Sequence, residues 1–244
     1  MAQGRPIAPP ALVLIDPGSE SGDPGILGAN DLPRLRVTEI FHSIQGESLS
    51  TGERTAFIRL TGCPLRCTYC DTAYAFKGGE SREISTILDE IAGYEVRYVC
   101  VTGGEPLAQA ACIDLLRALC DSGYEVSLET SGALDIAQVD PRVIRVLDLK
   151  TPGSGEQDRN LLCNLGQLSA KDQVKLVICD EADYRWAASL LRDHALHERC
   201  PVLFSPMTPG CAPGELAEWI LRDRLPVRLQ IQLHKVLWGE TRGR

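Results

Sequence analysis

From Arg36 onward, short runs of apolar and β-branched residues alternate with stretches whose apolar positions recur at helical spacing. RVTEIF and RTAFIRL come first, and VRYVCVT, YEVSLE, VIRVLDL, QVKLVIC, PVLFS and VRLQIQ follow. Runs of this length and composition read as strands. Between them, SREISTILDEIAGY places Ile84, Ile87, Leu88 and Ile91 on one helical face, with Gly93 as a stop. LAQAACIDLLRALCDSG does the same with Leu115, Leu116 and Leu119 before Gly123, and EADYRWAASLLRDHAL and APGELAEWILRD are of the same kind. Strands separated by helices call for parallel pairing with right-handed crossovers, hence an α/β sheet or a barrel of βα units. About six such units fit, fewer than a complete eightfold barrel needs. The chain contains no convincing internal repeat. Residues 1–35, rich in Pro, Gly, Ser and Asp and without a sustained period, are expected to be an extension with little regular structure, leaving 36–244 as a single domain.

Composition narrows the function classes. With 44% hydrophobic and 24% charged residues the chain is an ordinary globular protein. A net charge of −8 argues against a sequence-independent hold on nucleic acid, which needs a field of Lys and Arg, and favours a small-molecule substrate. No apolar run approaches the roughly 18 residues of a membrane span. The apolar run Ala11 to Ile15 is too short for a secretory signal, so no membrane is implied and a cytoplasmic location is expected. Of ten cysteines, three fall within eight residues and seven are scattered through apolar segments, which speaks for a reducing compartment with one metal site.

Those three are Cys63, Cys67 and Cys70, in RLTGCPLRCTYCDTAYAF directly after a strand. A cubane iron–sulfur cluster offers four irons to protein thiolates, and three cysteines leave one iron open. S-adenosylmethionine (SAM) can chelate that iron and accept an electron from the cluster, the cofactor carrying the chemistry and the protein orienting it. The alternatives are structural zinc, a remote fourth cysteine such as Cys100 or Cys211, and three unrelated thiols. Zinc normally takes four ligands in paired groups, and neither a second pair nor a nearby histidine is present. A fourth ligand from Cys100 stays open, although a Cys inside a strand-like run is more often a small buried hydrophobe.

TGGEP, at Thr102 to Pro106, lies at the carboxyl end of VRYVCV, where βα barrels place their active sites. Gly103 and Gly104 would let the backbone approach a ligand. With the cysteine triad, this segment resembles the radical-SAM superfamily. FHSIQGES, FIRLTGCPLRCTYCDTAYAF, VTGGEP, LETSG, DLKTPGSGE and QLHKVLWG together are similar to the 7-carboxy-7-deazaguanine synthase family, and the likeness covers about Arg36 to the C-terminus. It implies a partial (β/α)6 TIM-like barrel of the radical-SAM type. It also implies a carbon–nitrogen lyase that converts 6-carboxy-5,6,7,8-tetrahydropterin to 7-carboxy-7-deazaguanine with loss of ammonia, in 7-deazapurine (queuosine-type) biosynthesis.

The resemblance also implies residue roles. Cys63, Cys67 and Cys70 would bind the [4Fe-4S] cluster, and no catalytic side chain is required beyond the cluster and SAM. Ile44, Gln45, Gly46, Arg59, Thr102 and His234 would contact the pterin. Arg59 would do so by a bidentate grip on carboxylate. Gly103, Gly104, Glu105, Glu129, Asp148, Leu149, Lys150 and Ser205 would hold SAM, with Pro206 closing that side. Thr72 would be an Mg2+ ligand, consistent with a cation that takes oxygen donors and keeps several waters. Each has a plainer reading: a core aliphatic for Ile44, a surface strand residue for Arg59, a turn cap for Thr72, a buried paired carboxylate for Glu129 and a core histidine for His234. A flavodoxin- or ferredoxin-type electron donor and a homodimer are further expectations. One departure stands out. After the HK pair the sequence runs WGETRGR, without the proline that members often carry there. Two other functions compete: a glycyl-radical-activating-type radical-SAM enzyme acting on a protein, and a non-enzymatic iron–sulfur or zinc protein.

Overall fold

The computed structural model of the chain describes residues 33–244; the stretch 1–32, most of the expected extension, lies outside the described residues. Among the described residues there are nine strands: β1 (Arg34–Ile44), β2 (Arg54–Leu60), β3 (Glu80–Glu83), β4 (Tyr98–Gly103), β5 (Glu125–Thr130), β6 (Ile144–Leu149), β7 (Gln173–Ile178), β8 (Val202–Pro206) and β9 (Arg228–Leu229). Six helices accompany them: α1 (Ile84–Ala92), α2 (Cys112–Asp121), α3 (Glu181–Asp193), α4 (Leu196–Arg199), α5 (Pro213–Asp223) and α6 (Leu233–Trp238).

The strands form one sheet in the order β3-β1-β2-β4-β5-β6-β7-β8-β9. β1 is antiparallel to β2 and β3, and every pair from β2·β4 to β8·β9 is parallel. The sheet does not close, so the architecture is the partial barrel expected. Two boundaries differ from the sequence reading. β1 starts at Arg34, inside the expected extension, and residues 80–83, partly assigned to the first helix, pair as β3 with Arg34–Val37.

Alternation along each strand divides the sheet into two faces. One face carries Ile58 and Leu60, Val99 and Val101, Val126 and Leu128, Leu147 and Leu149, Val174, Leu176 and Ile178, and Val202 and Phe204. These pack with Ile87, Ile91, Leu115, Leu116, Leu119, Leu190, Leu191 and Leu216 of the helices in one core. The helical stripe read from α1 and α2 is therefore the stripe that buries. The opposite face is the inside of the barrel, and there the same strands carry Arg59, Thr102, Glu129, Asp148, Lys175 and Ser205 around one cavity.

Candidate active site

The cavity has a volume of about 480 Å³ and opens at the carboxyl ends of the parallel strands. Register places its residues side by side: Arg59 opposite Thr102, Asp148 opposite Lys175, Val177 opposite Ser205. Lys150 Nζ donates to Asp148 Oδ1 at 2.9 Å, and Lys175 Nζ lies 3.5 Å from Asp148 Oδ2 and bonds Glu47 as well. Burial works to raise the Asp148 carboxyl, but the two lysines outweigh it and hold the group below the usual carboxylate range. For Lys150 and Lys175 burial works downward, and their carboxylate neighbours outweigh it and raise both, keeping them charged. Glu129 is pushed up by burial and then by Glu47, although Thr102 Oγ1 donates to its Oε2 at 2.8 Å.

Cys63, Cys67 and Cys70 line this cavity from the loop after β2, and none is in a disulfide. Neighbouring segments fix the loop. Thr68 N donates to Ser154 O at 3.0 Å and Thr68 Oγ1 to Gly153 O at 2.8 Å, while Arg66 N donates to Glu156 Oε1 at 2.6 Å. The 151–154 turn behind it is itself held by buried Asp183, which accepts from Thr151 Oγ1 and Gly153 N, each at 2.8 Å. Gly103 and Gly104 complete the support. A Cβ on Gly103, whose φ is +139°, would sit 2.2 Å from Leu60 O, and one on Gly104 2.2 Å from Gly62 O and 2.9 Å from Cys63 Cβ. Their lack of side chains lets the end of β4 close against the cysteine loop, and both still line the cavity.

The other end of the cavity is built from the β1–β2 hairpin and α6. Ile44, Gln45 and Gly46 line it with His234, and Leu233 N donates to Gly46 O at 3.0 Å. A Cβ on Gly46 would lie 2.2 Å from His234 Nδ1, so the glycine exists to seat the imidazole. Phe41 and Phe57 stack with ring centroids 4.9 Å apart. Arg59 Nε donates to Glu39 Oε1 at 2.7 Å, and no bond to its two Nη atoms forms among the described residues. That leaves the tip of the guanidinium free for a ligand.

The radical SAM superfamily model matches residues 57–148, the segment from the middle of β2 to Asp148. A curated relative from Chlorobaculum tepidum, a 7-carboxy-7-deazaguanine synthase, is 44% identical over 214 residues, covering 86% of this chain and 97% of the relative. The chain belongs to the 7-carboxy-7-deazaguanine synthase family. Another member, from Koribacter versatilis, is 40% identical and is covered completely by 86% of this chain. The crystal structure of QueE from Escherichia coli shares the fold, with a TM-score of 0.68 at 23% identity over 82% of this chain and 95% of that one.

Membership in the 7-carboxy-7-deazaguanine synthase family makes the chain a radical-SAM lyase whose cofactors are a [4Fe-4S] cluster and SAM. The residues present fit that pair. Three thiols line one cavity, while Cys100 and Cys211, the candidates for a fourth ligand, are buried and are not part of its lining. Among the described residues no three His, Cys, Asp or Glu side chains converge on a single-ion site, whereas the thiolates of a cubane cluster each meet a different iron. The Tyr69 hydroxyl, in the cavity wall between Cys67 and Cys70, is buried without a hydrogen-bond partner, as a site shaped around a polar guest leaves it. Burial pushes the Cys63 and Cys67 thiols up, with Lys150 opposing at Cys67, so metal binding must displace protons.

Two of the residues expected to hold SAM do not turn their side chains into the cavity. Glu105 is fully buried outside the cavity wall, where its carboxylate accepts from Thr130 Oγ1 at 2.8 Å, Ser131 N at 2.7 Å, Ser131 Oγ at 2.5 Å and Leu107 N at 3.0 Å. It organises the β4 and β5 ends rather than offering its side chain to a ligand. Leu149 belongs to the outer core, because alternation turns it away from the cavity that Asp148 faces. The remaining candidates, including Thr72 and Pro206, all line the cavity. Missed by the sequence reading were Glu47, Lys175, Tyr69, Asp71, Tyr74, Gln232 and Arg242. For Lys175 a signal existed: a lone lysine at an inward position of the apolar strand QVKLVI.

Proposed function

We propose that the chain converts 6-carboxy-5,6,7,8-tetrahydropterin to 7-carboxy-7-deazaguanine with loss of ammonia, in 7-deazapurine biosynthesis of the queuosine type. One observation carries this reading: the cysteine triad and the hairpin residues Ile44, Gln45 and Gly46 face each other across a single cavity. When bound, the cluster and SAM supply a 5′-deoxyadenosyl radical that removes hydrogen from the substrate. This chain's residues orient the two guests. Gln45 and the backbone at Gly46 meet the alternating donors and acceptors of the pterin edge, and the Phe41–Phe57 pair walls its plane. The free tip of Arg59 takes carboxylate, with His234 beside Gly46 and Thr102 completing the contacts. Gly103, Gly104, Glu129, Asp148, Lys150, Ser205 and Pro206 enclose SAM. The Thr72 hydroxyl, 3.8 Å from Cys70 Sγ, offers Mg2+ one oxygen, with water and substrate oxygens filling the remaining positions.

The electron comes from a flavodoxin- or ferredoxin-type donor. All ten cysteines are free, in keeping with a reducing cytoplasm, and no helix among the described residues is long and apolar enough to cross a membrane. Exposed Leu229, Ile231, Val236 and Leu237 gather in the β9–α6 segment and favour a homodimer through that edge.

The test is an anaerobic assay of the reduced, reconstituted protein with SAM and the carboxytetrahydropterin. Formation of the deazaguanine product with ammonia is expected, and Thr72→Ala should weaken the response to magnesium more than SAM cleavage. SAM cleavage without product would contradict the proposal.

A further inference from the structure

Beyond α6 the chain turns at Gly239, with φ +62°, and Thr241 Oγ1 donates to Trp238 O at 2.8 Å. Residues 239–244 then all line the cavity mouth. The strap is tied down by one aromatic contact: the Arg242 guanidinium carbon lies 4.1 Å from the centroid of Tyr74. That of Arg59 is 6.0 Å from the same ring. Tyr74 is thus shared by two guanidinium groups, and its hydroxyl donates to Glu39 Oε1 at 2.7 Å, the oxygen that also receives Arg59 Nε.

Charge at this end of the cavity is mixed and largely paired: Arg59 with Glu39, Lys175 with Glu47 and Asp148, Lys235 with Asp71 at 3.4 Å, while Glu129, Glu240, Arg242 and Arg244 form no ion pair among the described residues. A carboxylated substrate entering here finds the tip of Arg59 free, and a second cation at the mouth adds to that grip. Arg242 makes no ion pair among the described residues, lines the mouth and is oriented by stacking, which costs a guanidinium none of its hydrogen-bond donors.

We propose that Arg242, held on Tyr74, is a specificity-determining residue that receives the substrate carboxylate together with Arg59 and selects carboxylated over uncharged pterins. The inference rests on the pterin reading above. It gives the WGETRGR segment a function that its missing proline leaves open.

Equilibrium binding of 6-carboxypterin and of uncharged 6-hydroxymethylpterin to the reconstituted full chain tests it, with KM and kcat for the carboxytetrahydropterin alongside. Loss of a charge-assisted contact in Arg242→Gln should weaken the carboxylated ligand about 10-fold to 100-fold and leave the uncharged one within about twofold. The loss should appear in KM more than in kcat. Arg242→Lys should recover only part, because an ammonium lacks the planar fork. Equal carboxypterin affinity in the wild type and Arg242→Gln, or equal loss for both ligands, would overturn the inference while leaving the pterin reading intact. A wild type that makes no deazaguanine and binds neither pterin would instead remove the pterin reading, and this inference with it.

Discussion

Glu47 ties together three segments that meet at the substrate end of the cavity. It sits in the β1–β2 hairpin, bonds Lys175 of β7, and accepts from Gln232 Nε2 at 2.6 Å just before α6. Through it, Gln45, Gly46 and His234 are held against the barrel. Glu47→Gln preserves the shape and the acceptor for Gln232 but removes the charge facing Lys175. Breaking such a pair costs about 3–5 kcal/mol where the remaining charge is fully buried, and less here because Lys175 keeps Asp148 and some solvent. The expected result is a fall in kcat/KM for the pterin of at least about tenfold, corresponding to roughly 1.4 kcal/mol. Iron and sulfide content should be unchanged, and equal loss of cluster would show that Glu47 supports the whole domain instead. The cysteine triad could be read from the sequence because its three ligands fall within eight residues. The Glu47–Lys175 pair could not, since 128 residues separate its members and only sheet order brings them together.

At the scale of elements, periodicity identified every parallel strand and four of the helices, and it failed where tertiary pairing overrides local preference. ESRE, polar and charged, becomes β3 because β1 offers it a free edge. VRLQIQ alternates like a full strand yet pairs only at Arg228 and Leu229; the last backbone bond to β8 runs from Gln230 N to Phe204 O at 2.9 Å, and the Gln230 side chain bonds Ser48 N and O at 3.0 and 2.9 Å. One ion pair fixes the opposite end of the barrel. Asp172, ahead of β7, accepts from Arg145 N, Nε and Nη2 of β6 at 2.9, 3.1 and 2.6 Å, and from Ser169 N and Oγ at 2.7 and 2.8 Å. Burial works to raise its carboxyl, but these donors outweigh burial and hold it below the ordinary range. Its stabilising contribution is therefore present above the ordinary carboxylate value near about 3.9 and is lost as pH falls through the lower folded value. Arg145→Met takes the cation from a buried carboxylate; such a loss costs about 3–5 kcal/mol where nothing else compensates, and less here because the backbone N of residue 145 and Ser169 N and Oγ still donate. Chemical denaturation across pH should show that loss at neutrality and an acid transition moved to higher pH. An unchanged acid transition would mean that Asp172 does not depend on Arg145.

The whole molecule divides a single sheet into an apolar outer face and a polar inner one, and function follows from that division. The outer register, Val99, Leu128, Leu149 and Ile178 among others, makes the core with the helices. The inner register, Arg59, Glu129, Asp148 and Lys175, would be a costly set of charges in any other fold. Here Arg59, Asp148 and Lys175 are ion-paired and Glu129 accepts from Thr102, around a space that must receive a sulfonium cofactor and a charged pterin. Sequence shows the triad and the strands, but not that the triad and the hairpin converge on one 480 Å³ chamber. On the proposed reading, three thiolates in this chamber leave one iron for SAM. Electron paramagnetic resonance of the reduced, reconstituted protein before and after SAM addition reports on that iron. The spectrum should shift on SAM binding, and Cys100→Ala and Cys211→Ala should behave as the wild type. A spectrum indifferent to SAM, or a cluster lost with either of those two cysteines, would contradict the claim.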